Sequence, residues 1–356
     1  MTMRQLLEEM VSKNASDLHI TVGAPPVFRI DGDLAPTSYE VLTPQMTEQL
    51  VYSILNDQQK KRFEMEHELD FSFGIPNLSR FRANAFIQRG CVAIAVRTIP
   101  FHIRSFKELG LPPVAGELCT RPKGLILLTG PTGCGKSTTL ATMIDKVSRD
   151  RKSHIMTVED PIEYLLPHQT SLVNQRQVGS DTKSFANALK YVLRQDPDVV
   201  MVGEMRDLET MQAALTIAET GHLTLATLHT NSAAESVTRI IDVFPTNRQP
   251  QVRAQLAFVI LGVITQSLVP KIKAGRALAL EIMVGTPAVK ALIRDNKAHQ
   301  IYSLVQAGQK YGMITMNQSL YNLYISRQVS LEMAFAYSRD PEELERMIEQ
   351  KSAMVA

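Results

Sequence analysis

A chain of 356 residues, 44% hydrophobic and 21% charged, is long enough for about two globular domains with their own cores and is not a disordered polymer. Its 38 Lys and Arg against 36 Asp and Glu leave a formal charge of +2, which excludes an overall basic or acidic field while leaving room for a local basic patch. Cys91, Cys119 and Cys134 form no CxxC pair, so neither a zinc knuckle nor a disulfide framework is supported.

The N-terminal stretch MTMRQLLEEMVSKNASD has acids inside its apolar pattern, which predicts a short amphipathic helix from Leu6 to Met10 rather than a signal peptide. Short β-type runs follow at 18–20, 27–30, 71–73, 81–87 and 91–99, with a hairpin signal at Asp31-Gly32. A helix is expected from Thr43 to Asn56, with Thr43 as its cap and Pro44 at its first position. Residues 1–100 thus read as an α+β domain without catalytic spacing. Prolines and glycines in 101–116 mark a linker and hinge, and 117–356 form the second domain.

From Lys123 onward the pattern changes. Apolar runs at 125–129, 155–158, 198–202 and 223–228 alternate with helical segments near 137–148, 182–195, 207–219 and 231–241. Continuous apolar strands separated by helices predict a parallel sheet covered on both faces, with ligands at the strands' C-terminal ends. The apolar stretch 256–264 is about half the length needed to cross a bilayer. A soluble cytoplasmic protein is the default expectation.

Four motifs fall at those four strand ends. Gly130-Pro131-Thr132-Gly133-Cys134-Gly135-Lys136-Ser137 fits G-x-x-x-x-G-K-[ST]. Its glycines let consecutive N–H groups turn around a phosphate, Lys136 reaches the outer phosphoryl oxygens, and Ser137 is placed to ligate Mg²⁺. Thr138 continues the nucleotide-binding segment. In the second motif, Pro161 stops a strand and leaves Glu159, Asp160 and Glu163 in a short loop, where a carboxylate serves metal or water. The third, 198–204, is an apolar strand ending in Glu204, with Gly203 where a Walker B aspartate commonly stands. Glu204 is read as a Mg²⁺ ligand or a base. The fourth, 220–230, places His222 and His229 around one strand, and with Thr227 they are read as a γ-phosphate sensor. Charge over the γ-phosphate is assigned to an arginine clamp of Arg82, Arg97, Arg194 and Arg239.

Taken together, these motifs resemble the type II/IV secretion ATPase superfamily, and within it the type IV pilus retraction (twitching motility) ATPases. The likeness runs over nearly the whole chain: 15–34 resembles the family's N-terminal segment, 159–163 its aspartate box, 193–207 its Walker B segment and 220–230 its histidine box. Residues 288–295 resemble the retraction box AIRNLIRE, keeping Ala288, Leu292, Ile293 and Arg294 and departing at Val289, Lys290, Ala291 and Asp295. The extra N-terminal region and tetracysteine site of extension ATPases have no counterpart here.

The resemblance implies a RecA-like P-loop ATPase domain with a C-terminal helical region, preceded by a smaller α+β, PAS-like domain. It implies a homohexameric ATPase using ATP and Mg²⁺. By motif position Glu163 is the catalytic glutamate and Glu204 the Walker B acid. The choice of general base between them stays open. Implied partners are an inner-membrane pilus platform protein and a retraction paralogue, with no nucleic acid, and the implied location is the cytoplasmic face of the inner membrane. The alternatives are an accessory retraction paralogue, a RecA-like nucleic-acid translocase and a small-molecule kinase. The near-neutral charge and the lack of a basic, aromatic-studded groove count against the translocase.

Overall fold

The computed structural model describes residues 1–30, 32–76, 78–99 and 103–355, so Asp31 of the expected turn and residues 101–102 of the expected linker lie outside the described residues. The chain divides into two compact units: Met1–His102 with Glu163–Leu165, and Ile103–Ile162 with Leu166–Ala356.

The first unit opens with α1 (Met3–Ser12), longer at both ends than the expected Leu6–Met10. Thr2 and Gln5 cap it reciprocally, and Met3, Leu6, Leu7 and Met10 form its buried stripe. Strands β1 (Asp17–Ile20), β2 (Val27–Ile30) and β3 (Asp33–Pro36) lead to helices α2 (Pro44–Tyr52) and α3 (Asp57–Glu66). Strands β4 (Glu68–Ile75), β5 (Ser79–Gln88) and β6 (Cys91–Ile99) complete the unit. Helix α2 starts as expected, on Thr43 and Pro44, but stops at Tyr52. Asn56 is instead the cap of α3, its side chain accepting from Gln59 N at 2.8 Å. The sheet runs β3-β2-β1-β6-β5-β4, antiparallel throughout, with Phe28, Phe63 and Phe81 buried against the α1 stripe.

The second unit begins with two short helices, α4 (Phe106–Leu109) and α5 (Pro113–Leu118), in the segment read above as a linker. Then follow β7 (Gly124–Thr129), α6 (Lys136–Asp150), β8 (His154–Glu159), β9 (Leu172–Gln177), α7 (Phe185–Val192), β10 (Val199–Val202), α8 (Leu208–Glu219), β11 (Leu223–Leu228) and α9 (Ala233–Asp242). The chain goes on through α10 (Gln249–Val259), β12 (Ile260–Pro270), β13 (Arg276–Val284), α11 (Pro287–Arg294), α12 (Ile301–Ala307), α13 (Met316–Ile325), α14 (Leu331–Tyr337) and α15 (Pro341–Val355).

The sheet order is β13-β12-β7-β11-β10-β8-β9, and every pair is parallel except β12 with β13. All residues of β7, β10 and β11 are buried, which is why these strands read as unbroken apolar runs. The apolar stretch 256–264 is neither one helix nor one strand: α10 ends at Val259 and β12 begins at Ile260. Among the described residues no helix is long and apolar enough to cross a membrane.

Beyond the strands, α13–α15 gather a smaller apolar cluster around Val269, Ala279, Leu320 and Leu344. Glu281 on β13 is 3% exposed, and its Oε1 accepts from Ala233 N, the first amide of α9, at 2.8 Å. That bond joins the antiparallel edge of the sheet to the helix following β11.

Because Phe81 is fully buried, Phe81→Ala should cost about 3–5 kcal/mol. Leu34→Ala, at a 56% exposed position, should stay within about 0.5 kcal/mol. Urea unfolding of the full chain, followed by circular dichroism, checks the contrast.

Candidate functional site

The phosphate-type loop leaves β7 at Gly130, and the turn there is enforced by close packing. Gly130 has φ 137°, and a Cβ on it would lie 2.4 Å from Gln266 O and 2.7 Å from Cys134 Sγ. Only glycine meets both conditions. Gly133 and Gly135 also hold positive φ, at 79° and 92°. Cys134 is buried beneath the loop, and burial pushes its thiol pKa up, so its side chain packs while its backbone turns.

Lys136 is the first residue of α6 and is 9% exposed. Its ammonium donates to Gly130 O at 2.7 Å and Pro131 O at 2.9 Å, folding back over its own loop. The cap of α6 is Gly135, which has no side chain to satisfy the first-turn amides. A 15-residue helix therefore directs its open N-terminal amides and partial positive charge at the loop. Behind the loop, Gln266 Nε2 donates to Thr139 Oγ1 at 2.9 Å and the Thr129 and Thr265 hydroxyls meet at 2.8 Å, fixing β7 and α6 to β12. A backbone cradle with one ammonium fits a polyphosphate.

Glu204 follows β10, two strands from β7 and so about 10 Å across the sheet. Its Oε2 is 2.7 Å from Arg206 Nη2 and its Oε1 is 3.2 Å from His229 Nε2. Burial pushes the carboxyl pKa up, but the Arg206 hydrogen bond and charge, with His229 and Lys136, outweigh it and hold the group below the usual carboxylate range. The charge of Lys136 thus reaches Glu204, which links the β7 and β10 ends. For Mg²⁺, the oxygen donors expected here are the Ser137 hydroxyl and the Glu204 carboxylate, the hard ligands that ion takes together with water. Among the described residues no group of three His, Cys, Asp or Glu is arranged to hold a metal by protein ligands alone.

The aspartate-box carboxylates separate. Glu159 is 7% exposed, accepting from Thr157 Oγ1 at 2.6 Å and from Gln175 Nε2 at 3.0 Å. Asp160 is exposed and acts electrostatically on Arg206. Glu163 is exposed and groups with the first unit.

The three residues expected to form a sensor also separate. His229 joins the cluster through Glu204. Thr227 is buried and gives its hydroxyl hydrogen to Gly203 O, bracing β11 against β10. His222 lies at the opposite end of β11, before its first residue: its carbonyl accepts from Gly124 N, at the start of β7, and its Nδ1 sits 3.0 Å from Ile217 O. The length of β11, about 20 Å, separates it from His229, so within one chain it takes no part in this site.

The arginines fall into two groups. Arg82 on β5 and Arg97 on β6 are direct cross-strand partners. Both face outward, and two like charges in that register repel. Asp17 offsets part of this, its Oδ1 accepting from Arg97 Nε at 2.8 Å. Arg194 lies in the segment leading into β10, at the strand ends opposite the loop, and Arg239 is in the last turn of α9; both are exposed. Neither belongs to the cluster at the strand ends.

In the retraction-box segment, α11 buries Val289 and Ile293, while Leu292 packs at the core margin and Ala288 is exposed. Lys290 Nζ donates to Phe258 O at 3.1 Å, satisfying a carbonyl in the last turn of α10. Sequence reasoning missed Arg206, although it stands two residues after Glu204. It also missed Gln266 and Glu281, for which no local pattern exists.

Comparison with known proteins places the chain clearly. The type II/IV secretion system protein family matches residues 1–276. The type IV pilus retraction ATPase PilT of Pseudomonas aeruginosa is 46% identical over 96% of this chain and 99% of its own length. The type IV pilus ATPase PilU of the same organism is 41% identical over 98% of this chain and 91% of its own. A crystal structure of the pilus retraction motor PilT with bound ADP superposes with a TM-score of 0.92 at 51% identity, covering 97% of this chain and 99% of that one.

The Asp17 carboxyl gives a pH test. Burial acts to raise its pKa, but Ser16, Arg97 and His19 outweigh burial and hold it below the usual carboxylate range. Its stabilising share is complete above the unfolded value of about 4 and is lost as pH falls through the folded one. Asp17→Asn should lower stability at pH 7 and flatten the loss below about pH 4, read by denaturant titration across pH.

Proposed function

We propose that this chain, which belongs to the type II/IV secretion system protein family, is an ATP-hydrolysing motor that powers type IV pilus retraction. The observation that carries the reading is a near full-length match to a retraction ATPase together with a phosphate loop and a paired acid two strands apart at the same end of one parallel sheet. The identity to PilT is 46% and to PilU 41%, which favours the principal retraction motor over the accessory paralogue.

In this reading the amides from Gly130 to Thr138 and the Lys136 ammonium hold the phosphates. Lys136 gives up the Gly130 and Pro131 carbonyls for phosphoryl oxygens, exchanging neutral acceptors for charged ones. Ser137 and Glu204 would hold Mg²⁺, which when bound neutralises the phosphate oxygens. Glu163 orients and deprotonates the attacking water, and His229, bound to Glu204, senses the γ-phosphate. Arg82 and Arg97 form an outward-facing cationic pair suited to the triphosphate, whose charge relieves their mutual repulsion. Arg194 and Arg239, exposed and away from their own loop, are suited to act across a subunit boundary. The assembly is a homohexamer at the cytoplasmic face of the inner membrane, working against a pilus platform protein.

Lys136→Ala should reduce phosphate release by the assembled protein at least about a hundredfold. Glu163→Gln should keep ATP binding within about twofold and lower turnover by about a hundredfold or more. Near-normal hydrolysis by Glu163→Gln moves the base to Glu204. Deleting the gene should leave cells hyperpiliated and unable to twitch. Bald cells would overturn the assignment of direction.

A further inference from the structure

Glu204 is the acid that the proposed site offers to Mg²⁺, yet both of its oxygens already face a nitrogen. Arg206 Nη2 stands 2.7 Å from Oε2 and His229 Nε2 stands 3.2 Å from Oε1. The two nitrogens differ in freedom. His229 follows a buried strand end and approaches from β11. Arg206 sits on the loop after β10, with a side chain 63% exposed, against 19% for Glu204. Its guanidinium is therefore free to swing where the carboxylate is not.

A second anion waits for it. Asp160 directly follows the neighbouring strand β8, and its charge acts on Arg206. Paired parallel strands lie about 4.8 Å apart, so the Glu204 and Asp160 loops leave the sheet side by side. One guanidinium thus bonds the Glu204 carboxylate and feels the charge of a second carboxylate from the neighbouring strand's loop, and only the first belongs to the proposed metal site. A guanidinium and a divalent cation on the same carboxylate repel each other. The cation of higher charge density displaces the other, and the displaced guanidinium needs an acceptor within reach.

We propose that Arg206 is a positioning residue that holds Glu204 until Mg²⁺-nucleotide arrives and then transfers to Asp160. This rests on the nucleotide site proposed above. Arg206 keeps the Glu204 carboxylate ordered, and its departure couples metal loading to the β8 loop. The exchange breaks one charge-assisted hydrogen bond and forms another, with no net change in charge on the protein.

The test is the affinity of a fluorescent ATP analogue for the full-length assembled protein, measured with Mg²⁺ and with EDTA. Arg206→Ala should tighten the Mg²⁺-dependent affinity about three- to tenfold and leave the metal-free affinity within about twofold. Arg206→Lys, a conservative change that guards against misfolding, should lie between. Asp160→Asn should weaken the Mg²⁺-dependent affinity about threefold in the wild-type background and have no effect beside Arg206→Ala. An Asp160→Asn effect that persists in the Arg206→Ala background reports through-space charge alone and overturns the transfer. Equal weakening by Arg206→Ala with and without Mg²⁺ shows a purely structural role and also overturns it. A wild-type protein that binds no nucleotide at all overturns the proposed function itself, and this inference with it.

Discussion

The site depends on a steric constraint at one backbone position. Gly130 turns the chain off β7 with its Cα against Gln266 O and Cys134 Sγ, where no side chain fits. From that turn the loop has one way to go: over the buried thiol, around Lys136 and into α6. Gln266 and the threonine pair behind it hold strand and helix to β12. The chemistry of the loop, its amides and its ammonium, is therefore positioned by packing that never touches a ligand.

Electrostatics organises the rest of the strand ends. Glu204 is ionised against the cost of burial because three cations or potential cations surround it. Glu159, one strand over, is buried and engaged by Thr157 and Gln175, and so serves the framework. Carboxylates close in sequence thus take different tasks according to what faces them. In the first unit, the antiparallel sheet displays Arg82 and Arg97 side by side, a register that a sheet selected only for stability avoids.

Much of the fold was legible because the strands that carry the site are buried on both faces. Strands β7, β10 and β11 are continuous apolar runs and were expected within a residue of their ends. Strand β9 was missed because Leu172–Gln177 is an edge strand with a polar pattern. Strand β12 was hidden because the apolar stretch it shares with α10 has no turn signal at Val259. Helix α2 was extended to Asn56 because a cap for the next helix reads equally as the tail of the one before. At the site, the loop and Glu204 followed from motif and strand end. His222 was grouped with His229 because closeness in sequence across a strand hides a full strand length in space. Arg206 was overlooked because an acid and a base two apart on a loop follow no helical or strand period.

The bond from Glu281 to the first amide of α9 has a mechanical meaning. A carboxylate sealed from solvent has no water to fall back on, so it behaves as a strut rather than as a spring. Any displacement of β13 by the C-terminal helices must drag the start of α9, and with it the short turn that follows His229. The strand ends and the far side of the unit therefore share this buried hydrogen bond, beside the apolar packing of Val237 and Ile240 of α9 in the main core.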